Sequence, residues 1–115
     1  MESCPNVLVI EIVRVTNQHG GWRKNAAGIS FSLSNLSLPG FSKKYRVVAT
    51  CHHSGSLMGG HWFTKELTEE GWYELNDLKK GNLLTDPPGH NDVSVVLLLL
   101  IAEDKLSSRQ IDGNT

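Results

Sequence analysis

Cysteine is scarce in this sequence, basic charge is not in surplus, and no apolar run is long. Only Cys4 and Cys51 occur among 115 residues, both in or beside apolar strand-like runs rather than in a spaced framework. That speaks against a disulfide scaffold and fits a reducing, intracellular setting, cytoplasmic or nuclear, although two thiols leave a single disulfide open. Lys and Arg number 11 against 12 Asp and Glu, for a net charge of −1. A phosphate-binding surface needs clustered base in excess, so nucleic acid is not an expected partner. The longest apolar run, Val93 to Ala102, is interrupted by Ser94 and reaches only about half of the ~20 residues that cross a bilayer, so no membrane partner is expected either. The start, Met1-Glu2-Ser3-Cys4-Pro5, lacks the basic segment and cleavage site of a signal peptide. No Gly-Lys-Ser/Thr follows the glycines at 55, 59 and 60, which excludes a phosphate loop.

What is present is β-strand pattern. The length suits one compact domain, since domains cluster near 100 to 150 residues. Val7 to Val13 is dense in β-branched residues and reads as a strand buried on both faces, with Arg14-Val15 as an extension. Asn17 to Gly21 breaks it as a loop. Ile29, Phe31 and Leu33 alternate with polar neighbours, and Leu36 and Leu38 repeat the spacing, which predicts an edge strand closed by a turn at Pro39-Gly40. Tyr45 to Thr50 runs directly into a glycine-rich loop, His53 to Gly60. Leu78 to Asn91 reads as an exposed connection, Val93 to Ala102 as a final buried strand, and residues 107–115 as a polar tail outside a domain of residues 1–106. The expected fold is mostly β, with five or six largely antiparallel strands.

One hairpin stands out. Trp62 to Leu67 and Trp72 to Leu75 flank Thr68-Glu69-Glu70-Gly71, a loop of hairpin length ending in glycine. If Leu67 pairs with Trp72, His61 falls opposite Leu78, and Asn76 lies on the same face as His61, one diagonal step away. A histidine and an amide within hydrogen-bond reach are the base and the orienting group of a nucleophilic relay.

Four segments carry a family resemblance: Tyr45-Arg46-Val47-Val48-Ala49, His53-Ser54-Gly55-Ser56, Gly59-Gly60-His61-Trp62 and Trp72-Tyr73-Glu74-Leu75-Asn76-Asp77. In this order and spacing they resemble the histidine box of the ubiquitin-specific proteases. Cys4-Pro5 and the strand through Val15 are similar to that family's preceding box. The resemblance implies the antiparallel "palm" sheet of an α+β, papain-like fold, without the helical "thumb" and without zinc-binding "fingers", since no paired Cys-x-x-Cys occurs. It implies a Cys-His-Asn/Asp triad that cleaves the isopeptide bond after the C-terminal glycines of ubiquitin. His61 matches the catalytic histidine, Asn76 the residue that orients it, and Asp77 the supporting acid. His53, Gly59, Gly60 and Trp62 match positions beside the site. Trp62 stands where Tyr is usual and Val15 where Phe is usual. The family's nucleophile belongs to an Asn-Cys box that this sequence does not contain.

Cys51 and Cys4 read by default as small buried hydrophobes, because nothing in the register aims either sulfur at His61. Cys51, His52, His53 and His61 have the composition of a metal site, but adjacent strand residues point to opposite faces, so neither metal nor cofactor is expected. Strand-borne Trp22, Trp62 and Trp72 fit core packing better than an aromatic binding surface. Two functions follow from the resemblance. One is a domain inactive by itself that contacts ubiquitin, a ubiquitin-like protein, or a second protein covering the face that the thumb covers in the family. The other is the C-terminal part of an active cysteine deubiquitinase.

Overall fold

The computed structural model describes residues 4–18, 21–56, 59–76 and 81–105. Eight strands follow one another: β1 (Val7–Glu11), β2 (Val15–Gln18), β3 (Gly21–Lys24), β4 (Tyr45–Gly55), β5 (Gly60–Thr68), β6 (Gly71–Asn76), β7 (Asn82–Leu83) and β8 (Val95–Ala102). Six of them form one antiparallel sheet in the order β1-β8-β4-β5-β6-β7, and β2 and β3 form a separate hairpin. The only helical residues described are 103–105, and among the described residues no helix is long and apolar enough to cross a membrane. The mostly β, antiparallel architecture is the one the sequence predicts. The tail from residue 107 and the Leu78 position lie outside the described residues.

The strand Val95–Ala102 lies inside the sheet, hydrogen-bonded to β1 on one edge and β4 on the other, a position its leucines and valines suit. Its inward residues, Val95, Leu98, Leu100 and Ala102, meet Tyr45, Val47 and Trp72 in the core. The opposite face stays partly open. The β1 strand alternates in exposure rather than being buried on both faces: Val9 is 63% exposed while Leu8 and Ile10 pack inward. The outer face of the sheet is open here, so the valines that point to it supply β-propensity without being core.

Residues 29–38 do not form the expected strand. Ile29 and Leu36 make isolated bridges to Asp92 and Tyr45, and the backbone is otherwise irregular. The alternation nevertheless decides which side chains turn inward, because Phe31, Leu33, Leu36 and Leu38 cover the inner face of the sheet. The expected break at Asn17–Gly21 is a tight hairpin, with Asn17 opposite Trp22 and Gln18 opposite Gly21. The expected exposed connection is less open than its composition suggests, since Leu84 packs on the core and Pro88 is buried.

Two irregularities shape the centre of the sheet. Val47 pairs with Leu100 but Ala49 pairs with Leu99, so Val48 is an extra residue in β4. Cys51 pairs with Leu97 but His52 pairs with Val95, so Val96 is an extra residue in β8. Each bulge reverses the in-out alternation of its strand. Tyr45 and Val47 point inward before the first bulge, Thr50 and His52 after it.

Arg14 fastens these elements together. It is 4% exposed, and its guanidinium donates to the carbonyls of Val95 at 2.7 Å, Asn25 at 3.0 Å, Ala27 at 2.9 Å and Asp92 at 2.9 Å. One side chain thereby joins the chain after β1, the segment after β3 and the approach to β8. Removing it strands several partly buried carbonyls, each worth ~1 to 3 kcal/mol when unsatisfied. Arg14→Met is expected to lower the unfolding free energy by about 3 kcal/mol in urea titrations, and an unchanged midpoint would show that these carbonyls find other partners.

Candidate functional site

The hairpin β5–β6 has the register that the sequence predicts, with Leu67 opposite Trp72 and Phe63 opposite Asn76. His61 and Phe63 share the inner face by period two, and Asn76 reaches His61 diagonally. The Nε2 of His61 donates to the Oδ1 of Asn76. A thiol served by this imidazole would therefore approach Nδ1, the geometry of a Cys-His-Asn relay. Asp77, the third expected site residue, lies outside the described residues, as do Leu57 and Met58 in the glycine turn.

Behind this pair sits a second polar group that the sequence reading considers only as a metal candidate. His52 is fully buried. Its Nε2 lies 2.6 Å from Thr50 Oγ1, and its Nδ1 lies 3.0 Å from Ser94 Oγ and 3.6 Å from Asp92 Oδ1. The Asp92 side chain is 7% exposed and accepts from the backbone N–H of Ser94 at 3.1 Å and of Val95 at 2.9 Å. Burial by itself would raise its carboxyl, but the interaction with His52 and those two N–H groups outweigh it and hold the group well below the usual carboxylate range. The imidazole of His52 stacks on Phe63, with ring centres 4.9 Å apart and planes 8° from parallel. The ring of His61 lies 6.1 Å from Phe63, with planes at 22°.

The remaining expected residues occupy the outer face and the turn. His53 lies across from Trp62, with ring centres 4.7 Å apart. Lys24, which no motif singles out, donates to His53 Nδ1 at 2.9 Å, His53 O at 3.1 Å and Gly55 O at 2.7 Å. An ammonium has three N–H bonds and no lone pair, so His53 accepts at Nδ1 and carries its hydrogen on Nε2. That ring fills the space beside Gly60, where a Cβ would come within 2.4 Å of His53 Nε2. Gly55 holds φ at 103°, a value that side chains oppose. Gly59 is exposed, with open space where a Cβ would be. Trp72 is buried as expected, whereas Trp62 and Trp22 are 59% and 65% exposed. Glu11, Val13, Lys24, His53, Trp62 and Leu97 line a cleft of about 520 Å³.

Neither cysteine meets His61. Cys51 pairs with Thr64, which is three residues from His61 on the same strand and so lies on the opposite face. Cys4 sits beside Ser42, whose N–H donates to its sulfur at 3.3 Å, and that places it near Tyr45 at the far end of β4. Ser54, opposite His61, lies about 30 Å along a strand rising ~3.3 Å per residue. Hydrogen bonds from Ser42 and Lys43 lower the Cys4 thiol from its ordinary value.

The family model described as "Ubiquitin carboxyl-terminal hydrolase" matches residues 1–93, a span that includes His61 and Asn76. The chain belongs to the ubiquitin carboxyl-terminal hydrolase family. It is 34% identical over 79 residues to ubiquitin carboxyl-terminal hydrolase 21 of Homo sapiens and of Rattus norvegicus, covering 64% of this chain and 14% of each relative. To ubiquitin carboxyl-terminal hydrolase 2 of Gallus gallus it is 27% identical over 85 residues, covering 67% of this chain and 24% of the relative. The chain thus spans between about a seventh and a quarter of the length of the curated hydrolases that it matches.

The depressed carboxyl of Asp92 makes this hydrolase-family sheet acid-sensitive. A folded value below the unfolded one, about 3.9, means that the native state binds fewer protons, so the stabilisation is complete above that value and is lost as pH falls. Urea midpoints are expected to drop from about pH 4 downward and to drop less steeply in Asp92→Asn. Equal slopes for the two proteins would remove Asp92 as the source.

Proposed function

We propose that residues 1–106 form the palm, or histidine-box, part of a ubiquitin-specific protease, and that by themselves they bind ubiquitin or a ubiquitin-like protein without cleaving it. The observation that carries this reading is the His61–Asn76 hydrogen bond on a single hairpin, in a chain whose own two sulfurs lie on the other face of the sheet or at its far end. His61 is the general base, Asn76 fixes its tautomer, and Asp77, next in the sequence, matches the supporting acid. The nucleophile is absent from this chain.

The outer cleft supports the binding half of the reading. His53 and Trp62 form one wall, and Glu11 supplies a carboxylate among the lining residues. An extended, glycine-ended peptide fits such a surface, since glycine lets a backbone approach an aromatic wall closely. The Lys24 ammonium, itself in the lining, ties the backbone of His53 and Gly55 and keeps that wall preformed.

The intact base and orienting group favour a second role as well. With a thiol delivered to His61 Nδ1 by a longer chain or a partner, the proton passes from sulfur to imidazole and returns to the leaving amine, and the assembly cleaves ubiquitin isopeptide bonds. The intact mass of the endogenous protein separates this role from a stand-alone binding module.

Titrating the chain with ubiquitin is expected to shift the backbone amides of Glu11, His53, Gly55 and Trp62. Unmoved spectra at millimolar ubiquitin would end the binding claim. An electrophilic ubiquitin probe is expected to leave the 115-residue chain unlabelled, and stoichiometric labelling of Cys51 would overturn the assignment of the nucleophile to another segment.

A further inference from the structure

We propose that β1 is an interaction edge at which two copies of this chain pair antiparallel about a twofold axis through Val9, joining their sheets into one. β1 lies at the end of the strand order, with β8 on one side of it. The bonds that flank it show which of its backbone groups are already used: Ala102 N–H donates to Asn6 O at 2.8 Å, and Ile12 N–H donates to Val96 O at 2.7 Å. Antiparallel residue pairs alternate between bonded and non-bonded, so Leu8 and Ile10 turn their N–H and C=O toward β8. The N–H and C=O of Val7, Val9 and Glu11 therefore point away from the sheet, and no described backbone group bonds them. Pro5, in the same phase but without an N–H, closes the series at one end.

Sheet edges are ordinarily blunted by shortness, lysine, proline or a bulge. The opposite edge is blunted in this way, since β7 has two residues. β1 has five, in unbroken register with β8, and Glu11 is its sole charge. The edge is also complementary to itself. With Val9 opposite the second copy's Val9, Val7 falls opposite Glu11 and Glu11 opposite Val7, and each of these pairs exchanges two N–H···O bonds. The two Glu11 carboxylates then sit ~13 Å apart along strands that rise ~3.3 Å per residue, beyond the ~8 Å screening length of physiological salt. Val7 and Val9, 54% and 63% exposed, meet their counterparts on the outer face. Leu8 and Ile10, which pack inward, extend the apolar inner face across the axis. A strand of another sequence would have to reproduce this match, whereas a second copy has it by symmetry. So short a strand pair belongs to the small, transient class of interfaces, and the dimer forms at high concentration. The pairing uses neither His61 nor Asn76 and is independent of ubiquitin binding.

The test is amide hydrogen exchange and isotope-filtered NMR on the 115-residue chain, from micromolar to millimolar concentration. The amides of Leu8 and Ile10 should be protected throughout, while those of Val7, Val9 and Glu11 should exchange fast in dilute solution and slow as the concentration rises. In a mixture of labelled and unlabelled chains, a contact is expected between the Hα of Leu8 and the Hα of the second copy's Ile10, a non-bonded pair whose members are too far apart along one strand to touch within a monomer. Val9→Lys sets two like charges across the axis and should weaken the dimer at least ~10-fold, with the protection of Leu8 and Ile10 kept because the Val9 side chain is exposed. Mixing Val9→Lys with Val9→Glu should restore pairing as a heterodimer. Chains that stay monomeric at millimolar concentration, with Val7, Val9 and Glu11 exchanging freely, would overturn the proposal and leave this edge to a strand of another protein. A dimer that survives Val9→Lys undiminished would overturn it as well, by placing the contact elsewhere on the molecule.

Discussion

The extra residue at Val48 decides which side chains the sheet encloses. Without it, the alternation begun by Tyr45 and Val47 would put Ala49 and Cys51 on the inner face and turn Thr50 and His52 outward. With it, Cys51 moves to the outer face and a histidine enters the core. A buried imidazole is tolerated only with partners for its nitrogens, and the second bulge, at Val96, turns Val95 inward so that Ser94 and Asp92 sit at the mouth of the strand, within reach of His52. The two extra residues offset one another, 47 with 100 before them and 52 with 95 after, so the sheet regains its register. What they change is confined to the few residues beneath the candidate site.

The hairpin that carries His61 and Asn76 was legible in the sequence because everything that sets it is local. A loop of fixed length, a glycine at its end and a period of two place Phe63 opposite Asn76 with no reference to the rest of the chain. The inner polar cluster was not legible, because it depends on a bulge within a run of Val, Ala and Thr that no residue type announces. A weak signal does exist at its other end. Asp92 followed by Ser94 just before an apolar strand is a carboxylate poised to accept from the N–H groups two and three residues on. Phe31, Leu33, Leu36 and Leu38 show a different kind of partial success: alternation reports which way a side chain faces, and an irregular segment lying on a sheet alternates as a strand does. Lys24 had no signal at all, since its three acceptors come from residues about thirty positions away.

The two faces of the sheet divide the work. The inner face carries His52, Phe63 and His61, and Phe31, Leu33, Leu36 and Leu38 pack over its apolar core. The outer face holds the cleft, the exposed Trp62 and the valines of β1. Because successive residues on a strand project to opposite sides, His61 and Trp62 face different sides of the sheet while adjacent in sequence. The same alternation separates Cys51 from His61 more firmly than any distance could, since a strand cannot present a thiol through its own backbone. Cys51 is half-buried between Leu97 and Thr64 on that face, which is a packing role.

The partners of the two inner histidines differ in kind, and the difference bears on what each can do. His52 lies against a carboxylate held ionised by two backbone N–H groups, whereas His61 lies against an amide. A carboxylate puts a charge beside the ring; an amide oxygen fixes which nitrogen carries the hydrogen and adds no charge. For a thiol relay the orienting group must hold the ring in place while the charge created on it is balanced by the thiolate that it has just formed. An amide contributes direction without charge, which suits a ring whose positive charge is to be matched by a thiolate rather than by a neighbouring carboxylate.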